Sequence, residues 1–86
     1  MSDQSTLTIL FFAAARQRTQ QTQITHSFSS PLTLGDLKKD LLNSYPSLVD
    51  LAPYLRWAVN HTFIDDDLYL LKTRDEVALI PPISGG

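Results

Sequence analysis

Only one stretch of this chain has the spacing of an amphipathic helix, and it sits in the middle of a sequence that otherwise reads as strands. Leu34, Leu37, Leu41, Leu42 and Tyr45 recur at helical intervals, while Asp36, Lys38, Lys39, Asp40 and Asn43 fall on the other face. Thr33 precedes the run as an N-cap. Asp36 is placed so that its carboxylate can reach back to the first-turn amides and meet the positive end of the helix dipole. Pro46 stops the helix, because a residue before proline is pushed out of the helical region. A chain of 86 residues has room for one domain, which buries about two-thirds of its unfolded surface. One helix must therefore share a single core with whatever strands flank it.

Those strands are visible on both sides. Leu7 to Ala13 is apolar on both alternating faces, the pattern of a central strand. Gln17 to Gln23 is polar and reads as a loop or wide hairpin turn. Thr22 to Phe28 then alternates, with Ile24, His26 and Phe28 on one side, as a half-exposed second strand. After the helix, Ser47 to Leu55 is cut by Pro53 and reads as one irregular turn. Arg56 to Asn60 reads as a third strand and Thr62 to Ile64 as a continuation or fourth. Asp65-Asp66-Asp67 is a turn, Leu68 to Leu71 a brief edge segment, and Lys72 to Asp75 a second turn. Glu76-Val77-Ala78-Leu79-Ile80 is the last strand, ended by Pro81-Pro82, neither of which has an N–H to donate.

Hairpin, helix and further strands in that order predict an α+β domain, with a mixed four- to five-stranded sheet and one main helix across one face. If the last strand lies parallel beside the first at the sheet centre, the arrangement is the β-grasp. Residues 1–82 are then the domain and 83–86 a flexible tail.

Composition removes several classes of function. The net charge is −2, so no basic face is available to neutralise a run of phosphates, which argues against nucleic acid as a partner. Cysteine is absent, which excludes a disulfide scaffold, a thiol nucleophile and a Cys-ligated metal. The longest apolar run, Leu10 to Ala15, is far too short to span a membrane, and the N-terminus lacks the basic start of a signal peptide. A cytoplasmic location is the expectation. Asp65-Asp66-Asp67 is a solvated turn rather than a cation site, since consecutive carboxylates diverge and no ligand follows at calcium-loop spacing. His26 and His61 have no partner at zinc spacing, so no metal site is expected. Asn60-His61-Thr62 matches the glycosylation sequon but falls in an expected strand of a cytosolic chain. No Ser, His and Asp stand at the spacing of a nucleophile elbow or triad.

The C-terminus is the more informative end. Ile83-Ser84-Gly85-Gly86 follows the proline pair that closes the last strand. Without a Cβ, a Gly-Gly end is thin enough to thread a narrow channel, and its carboxylate is open to attack from either side. Four extended residues span about 14 Å, enough to reach a partner's buried site while the domain stays outside. Pro81-Pro82 favours a stiff, extended exit.

Taken together, Leu10-Phe11-Phe12-Ala13 followed by Arg16, Thr33-Leu34, Ala58-Val59-Asn60 and above all Asp75 through Gly86 resemble the small subunits of molybdopterin synthase. These are sulfur carriers of the ubiquitin-like β-grasp superfamily. The resemblance runs from residue 7 to the end, and its last segment is the specific one. Arg74 departs from it, since the family often has glycine there.

The resemblance implies a sulfur carrier rather than a stand-alone enzyme. Gly86 would be adenylated with ATP and magnesium by an E1-like adenylyltransferase and sulfurtransferase, then converted to a thiocarboxylate. The tail of Pro81, Pro82, Ile83, Ser84, Gly85 and Gly86 would enter the large, catalytic subunit, in a heterotetramer of two small and two large subunits. Sulfur would be donated there to cyclic pyranopterin monophosphate. No cofactor would be bound by the chain itself. Phe12, Phe63 and Ile80 match hydrophobic positions that meet these partners, and Arg16 is a further partner contact. By strand parity Leu10, Phe12, Ala78 and Ile80 face away from the helix and, with Phe63, form an apolar patch. Two other readings remain open at this point: a sulfur carrier for thiamine thiazole synthesis, and a ubiquitin-like modifier or binding module.

Overall fold

The computed structural model describes residues 4–82. The first strand, β1 (Ser5–Phe11), pairs antiparallel with β2 (Gln23–Phe28) and parallel with the last strand, β7 (Glu76–Ile80). On its other side β7 pairs antiparallel with β4 (Arg56–Val59), which continues into the short β5 (Thr62–Phe63). The five-stranded order is β2-β1-β7-β4-β5. The two most apolar strands thus lie side by side at the centre. A separate two-stranded ribbon is formed by β3 (Leu32–Thr33) and β6 (Leu70–Leu71).

The main helix, α2 (Leu34–Ser44), crosses one face of the sheet. It begins with a complete capping box. Thr33 Oγ1 accepts from the Asp36 amide at 3.0 Å, and the Asp36 carboxylate accepts from the Thr33 amide at 3.3 Å. Leu34, Leu37 and Leu41 are fully buried against Leu7, Ile9, Phe11, Val77 and Leu79 of the central strands. Tyr45 closes the end of this layer by meeting Phe11 edge-on, with ring centroids 5.7 Å apart. Pro46 starts a 3₁₀ turn (Pro46–Leu48) and Pro53 lies in a second (Ala52–Tyr54), where one irregular turn was expected. The first of these contributes Leu48 to the main core. Lys38 lies over the Trp57 ring, with its ammonium 2.6 Å from Asp67, so the helix is also tied to the loop before β6.

One element differs from the sequence expectation. The first strand stops at Phe11, and Ala13–Thr19 is a second helix, α1, where the strand was expected to run on and residues 17–23 to be a loop. Alanine is the best helix former, and the Ala-Ala-Ala run favours a helix once the strand has ended at an extended Phe12. Ala15 is buried and Thr19 Oγ1 donates back to the Ala15 carbonyl at 2.9 Å. Gln20 ends the helix in the left-handed region, its amide returning to the Arg16 carbonyl. Seven residues are too few to display a helical period, so the apolar alanines read as a continuation of the strand. Arg18 then fastens α1 to the turn after α2, donating to the Ser47 carbonyl at 3.0 Å and to Asp50 at 2.7 Å.

Leu68 to Leu71 is a second difference. Only Leu70–Leu71 is extended, and it pairs with β3 rather than with the edge of the main sheet.

Candidate functional site

The sheet has two unlike faces. In β7, Val77 and Leu79 point into the core under α2, while Glu76, Ala78 and Ile80 point to the other side. The strand registers extend this second face sideways. Leu10 lies beside Ala78, Ala78 beside Ala58, and Ala58 beside Phe63, so one row crosses four strands. The row is large at both ends and small in the middle. The two alanines form the floor of a shallow groove of about 240 Å³, walled by Leu10 and Phe12 on one side and Phe63 on the other. Ile80 lines it at the end where β7 stops, and His61 and Glu76 line the opposite end. Phe12 is 45% and Phe63 49% exposed, large apolar surface left in water by the fold itself. Residues 47–55 do not cover it, because Leu48 belongs to the core on the helix side.

Phe12 owes its place to the end of the strand. Its amide donates to the Leu79 carbonyl at 3.3 Å, and it caps α1 in an extended conformation. Phe63 is placed by a two-residue turn. Asn60 and His61 both have positive φ (50° and 72°), the primed type that suits the twist of a hairpin, and Val59 pairs with Thr62 across it. Asn60 also fixes this turn to the start of β7. Its side-chain amide donates to Asp75 Oδ1 at 2.9 Å, and its carbonyl oxygen accepts from the Glu76 amide at 2.9 Å. Asp75, only 8% exposed, accepts in addition from the Lys72 amide at 2.8 Å. Each oxygen of the buried carboxylate therefore has a donor, and the turn, β7 and the groove wall form one connected unit. Arg74 has φ 72° in the turn of residues 72–75 that leads into β7, the left-handed conformation that glycine adopts without cost.

The sequence-predicted residues divide as follows. Phe12, Phe63 and Ile80 come together around the groove. Arg16 does not; it lies exposed on α1 and makes no ion pair with a described residue. It is nevertheless at the same end of the sheet, since α1 follows the C-terminal end of β1, and β1 runs parallel to β7. Pro81 is buried and Pro82 exposed where the chain leaves β7. Ile83, Ser84, Gly85 and Gly86 lie outside the described residues.

Arg56 was missed: it is the register partner of Ile80 and its guanidinium lies 3.8 Å from the centre of the Phe63 ring. Its signal was parity, since Arg56 stands two before Ala58 on the same face. His61 and Glu76 were missed as rim residues; His61 Nε2 is 3.5 Å from Glu76 Oε1. His26 lies instead 3.7 Å from Asp40, away from the groove. Among the described residues no three His, Cys, Asp or Glu side chains gather as a metal site, and no helix is long and apolar enough to cross a membrane.

A mixed sheet with parallel central strands, one long helix on one face and an apolar groove on the other defines a ubiquitin-like β-grasp domain. The backbone bears this out in comparison with the modifier protein SAMP1 of Haloferax volcanii, at a TM-score of 0.83 and 20% identity over 94% of this chain and 99% of that one. The chain belongs to the ThiS family, which it matches over residues 9–86. It is 38% identical to the molybdopterin synthase sulfur carrier subunit of Drosophila erecta, over 91% of this chain and 88% of that protein. It also resembles a chain from the complex of subunits 1 and 2 of the molybdopterin-converting factor of Helicobacter pylori, with a TM-score of 0.67 and 22% identity over 94% and 99% of the two chains.

Proposed function

We propose that this chain is the sulfur-carrier subunit of a molybdopterin synthase and that its working group is the terminal carboxylate of Gly86. The observation that carries the reading is the family match through residue 86, which takes in Gly85-Gly86, four residues beyond a strand that lines an uncovered apolar groove. Similarity to a named sulfur carrier subunit over nearly the whole chain supports the molybdopterin branch.

The chemistry follows from what a carboxylate lacks. It is a poor acyl donor, so an E1-like activating enzyme, using ATP and magnesium, transfers AMP to it with loss of pyrophosphate. A sulfur nucleophile then attacks the acyl carbon and AMP leaves, giving the thiocarboxylate. The groove docks the domain on its partners, Phe12, Phe63 and Ile80 supplying the apolar contact and Arg16 a charged one nearby. Ile83 to Gly86 reach into the large subunit, which catalyses sulfur transfer to cyclic pyranopterin monophosphate. A heterotetramer of two small and two large subunits in the cytoplasm is the assembly in which this occurs. The small subunit contributes no acid, base or metal ligand.

The test is an intact mass of the full chain after incubation with the activating enzyme, ATP and a sulfur source. The expected product is heavier by about sixteen mass units, oxygen replaced by sulfur at the terminus. A chain lacking Gly86 must stay unmodified and fail to restore cofactor production; restoration by that chain overturns the reading. The charged protein also decides between related functions. Discharge onto a thiazole synthase instead of a pterin identifies a thiamine-pathway carrier, and isopeptide bonds to lysines identify a modifier.

A further inference from the structure

One edge of the main sheet is long and bare. We infer that the free chain pairs weakly with a second copy along this edge, β2 against β2 about a two-fold axis beside Thr25, so that the two sheets run on as one.

The backbone groups that β2 has left are fixed by its register. The Phe11 amide donates to the Thr22 carbonyl, and Ile9–Ile24 and Leu7–His26 follow at two-residue steps along the same ladder. In an antiparallel pair both groups of a residue point to one side, and the side alternates along the strand. Residues 22, 24, 26 and 28 therefore bond to β1. The N–H and C=O of Gln23, Thr25 and Ser27 point outward, and no described residue takes them up. Sheet edges are ordinarily protected by shortness, proline, a bulge or charge. The opposite edge is short, the two-residue β5. β2 has none of these devices. Its six residues run in unbroken register with β1, Pro31 comes only after the strand has ended, and from Thr19 to Gly35 there is no Asp, Glu, Lys or Arg.

Self-pairing uses this edge completely. A two-fold perpendicular to the sheet sets Thr25 against its own copy, and Gln23 and Ser27 against the copy's Ser27 and Gln23. Every such pair joins outward-facing groups, so each exchanges two hydrogen bonds and none of these groups is orphaned. A shift of two residues loses one of the pairs, and a shift of one turns outward groups against inward ones. Beside the backbone, Thr25 meets Thr25 and Gln23 meets Ser27, side chains that hydrogen-bond across strands, while Ile24 lies against the copy's His26 on the helix face. The two copies of α2 do not collide. The leucines of α2 pack on β1 and β7, one to two strand spacings inside β2, which sets the helices roughly 14–24 Å apart, beyond the 8–10 Å or so of helix contact. A foreign peptide adding to an edge is selected by pockets for its alternate side chains. Neither the groove nor the hollow beside Thr33 and Lys38 is lined by β2. What this edge selects is a strand with the same outward pattern, which every other copy of the chain carries.

Size sets the strength. The contact is one short strand without an apolar centre, well under the roughly 800 Å² per partner of a stable interface, so the pair is weak and concentration-dependent. Phe12, Phe63 and Ile80 line the groove on the sheet face and stay open in the pair.

Sedimentation and amide hydrogen exchange on the full-length chain, from micromolar to millimolar concentration, test this. Rising average mass is expected. Exchange should slow with concentration at the amides of Gln23, Thr25 and Ser27, and not at those of Ile24 and His26, which β1 already protects. Thr25→Lys alone and Thr25→Glu alone should each weaken self-association about tenfold, since like charges then meet at the two-fold. Mixing the two variants should restore association, because the mixed pair sets opposite charges together. That rescue cannot come from a change in folding, which mixing does not repair. Thr25→Pro should abolish pairing while leaving the β1 ladder whole, because the N–H it removes points outward. A monomer at millimolar concentration, added protection confined to other amides, or no rescue on mixing each overturns the inference. So does a chain that stays monomeric and gains edge protection only when the large subunit is added. None of these outcomes bears on the sulfur-carrier reading, which the mass of the charged terminus tests separately.

Discussion

Replacing Asn60 with alanine should cost more stability than its position in an exposed turn suggests. Three losses add. The hydrogen bond from the side-chain amide to Asp75 is charge-assisted and ends on a carboxylate only 8% exposed, worth about 1.5–3 kcal/mol. The bond accepted from the Glu76 amide is neutral and near solvent, worth about 0.5–1 kcal/mol. Alanine must also hold φ near 50°, a conformation that costs alanine about 1 kcal/mol more than asparagine. These share one site, so the expected total is about 3 kcal/mol rather than their full sum. A domain of this length has about 4–13 kcal/mol in all, so the variant should melt about 12–24 °C lower. Asn60→Gly separates the terms, because glycine takes the positive φ without strain and loses only the hydrogen bonds; about 2 kcal/mol is expected. Urea unfolding followed by Trp57 fluorescence measures both. An alanine variant within about 0.5 kcal/mol of the parent would show that the Asn60–Asp75 pair is not what holds the hairpin to β7.

The remaining expectations concern the groove, the turn and the cap. Phe12→Asp and Phe63→Asp should each weaken binding to the large subunit at least tenfold with under about 1 kcal/mol of destabilisation, since both rings are half exposed; unchanged affinity in a binding titration would refute the docking role. Arg74→Gly should stabilise the domain by about 0.5–1 kcal/mol, relief of the left-handed strain at φ 72° exceeding the entropy lost by glycine. The Arg74 amide keeps its bond to the Thr6 carbonyl either way, and a lowered melting temperature would count against the argument. Thr33→Ala should cost about 1 kcal/mol in the same unfolding assay through loss of the α2 cap.

How much of this was legible in the sequence depended on whether a residue's surroundings were local. The α2 cap was readable because Thr33 and Asp36 act on each other across three residues. The face of each central strand was readable because alternation is a property of the strand alone, and Val77, Leu79, Leu7, Ile9 and Phe11 are buried as that rule requires. The α1 helix was not, because a seven-residue helix is held by what Ala15 packs on and by Arg18 reaching Ser47 and Asp50. Those contacts lie some thirty residues away in the chain. Propensity in Ala13-Ala14-Ala15 was the one local sign, and the preceding apolar strand masked it.

The groove divides along the same line. Phe12, Ile80 and Ala78 follow from parity within their own strands, but Arg56, Ala58 and His61 join them only through the β4–β7 and β4–β5 registers, which no local pattern specifies. This has a physical consequence for the site. β7 contributes Val77 and Leu79 to the core and Ala78 and Ile80 to the groove, so a slip of one residue would exchange the two sets and bury Glu76. Asn60 opposes such a slip, because it holds the amide of Glu76 with its side chain and the carbonyl of Glu76 with its own amide at 2.8 Å. The residue that fixes which side chains face the groove therefore stands at the opposite end of β7 from Pro81 and Pro82. A strand pinned at its start delivers its end in one place, and that is the end from which the chain continues toward Gly86.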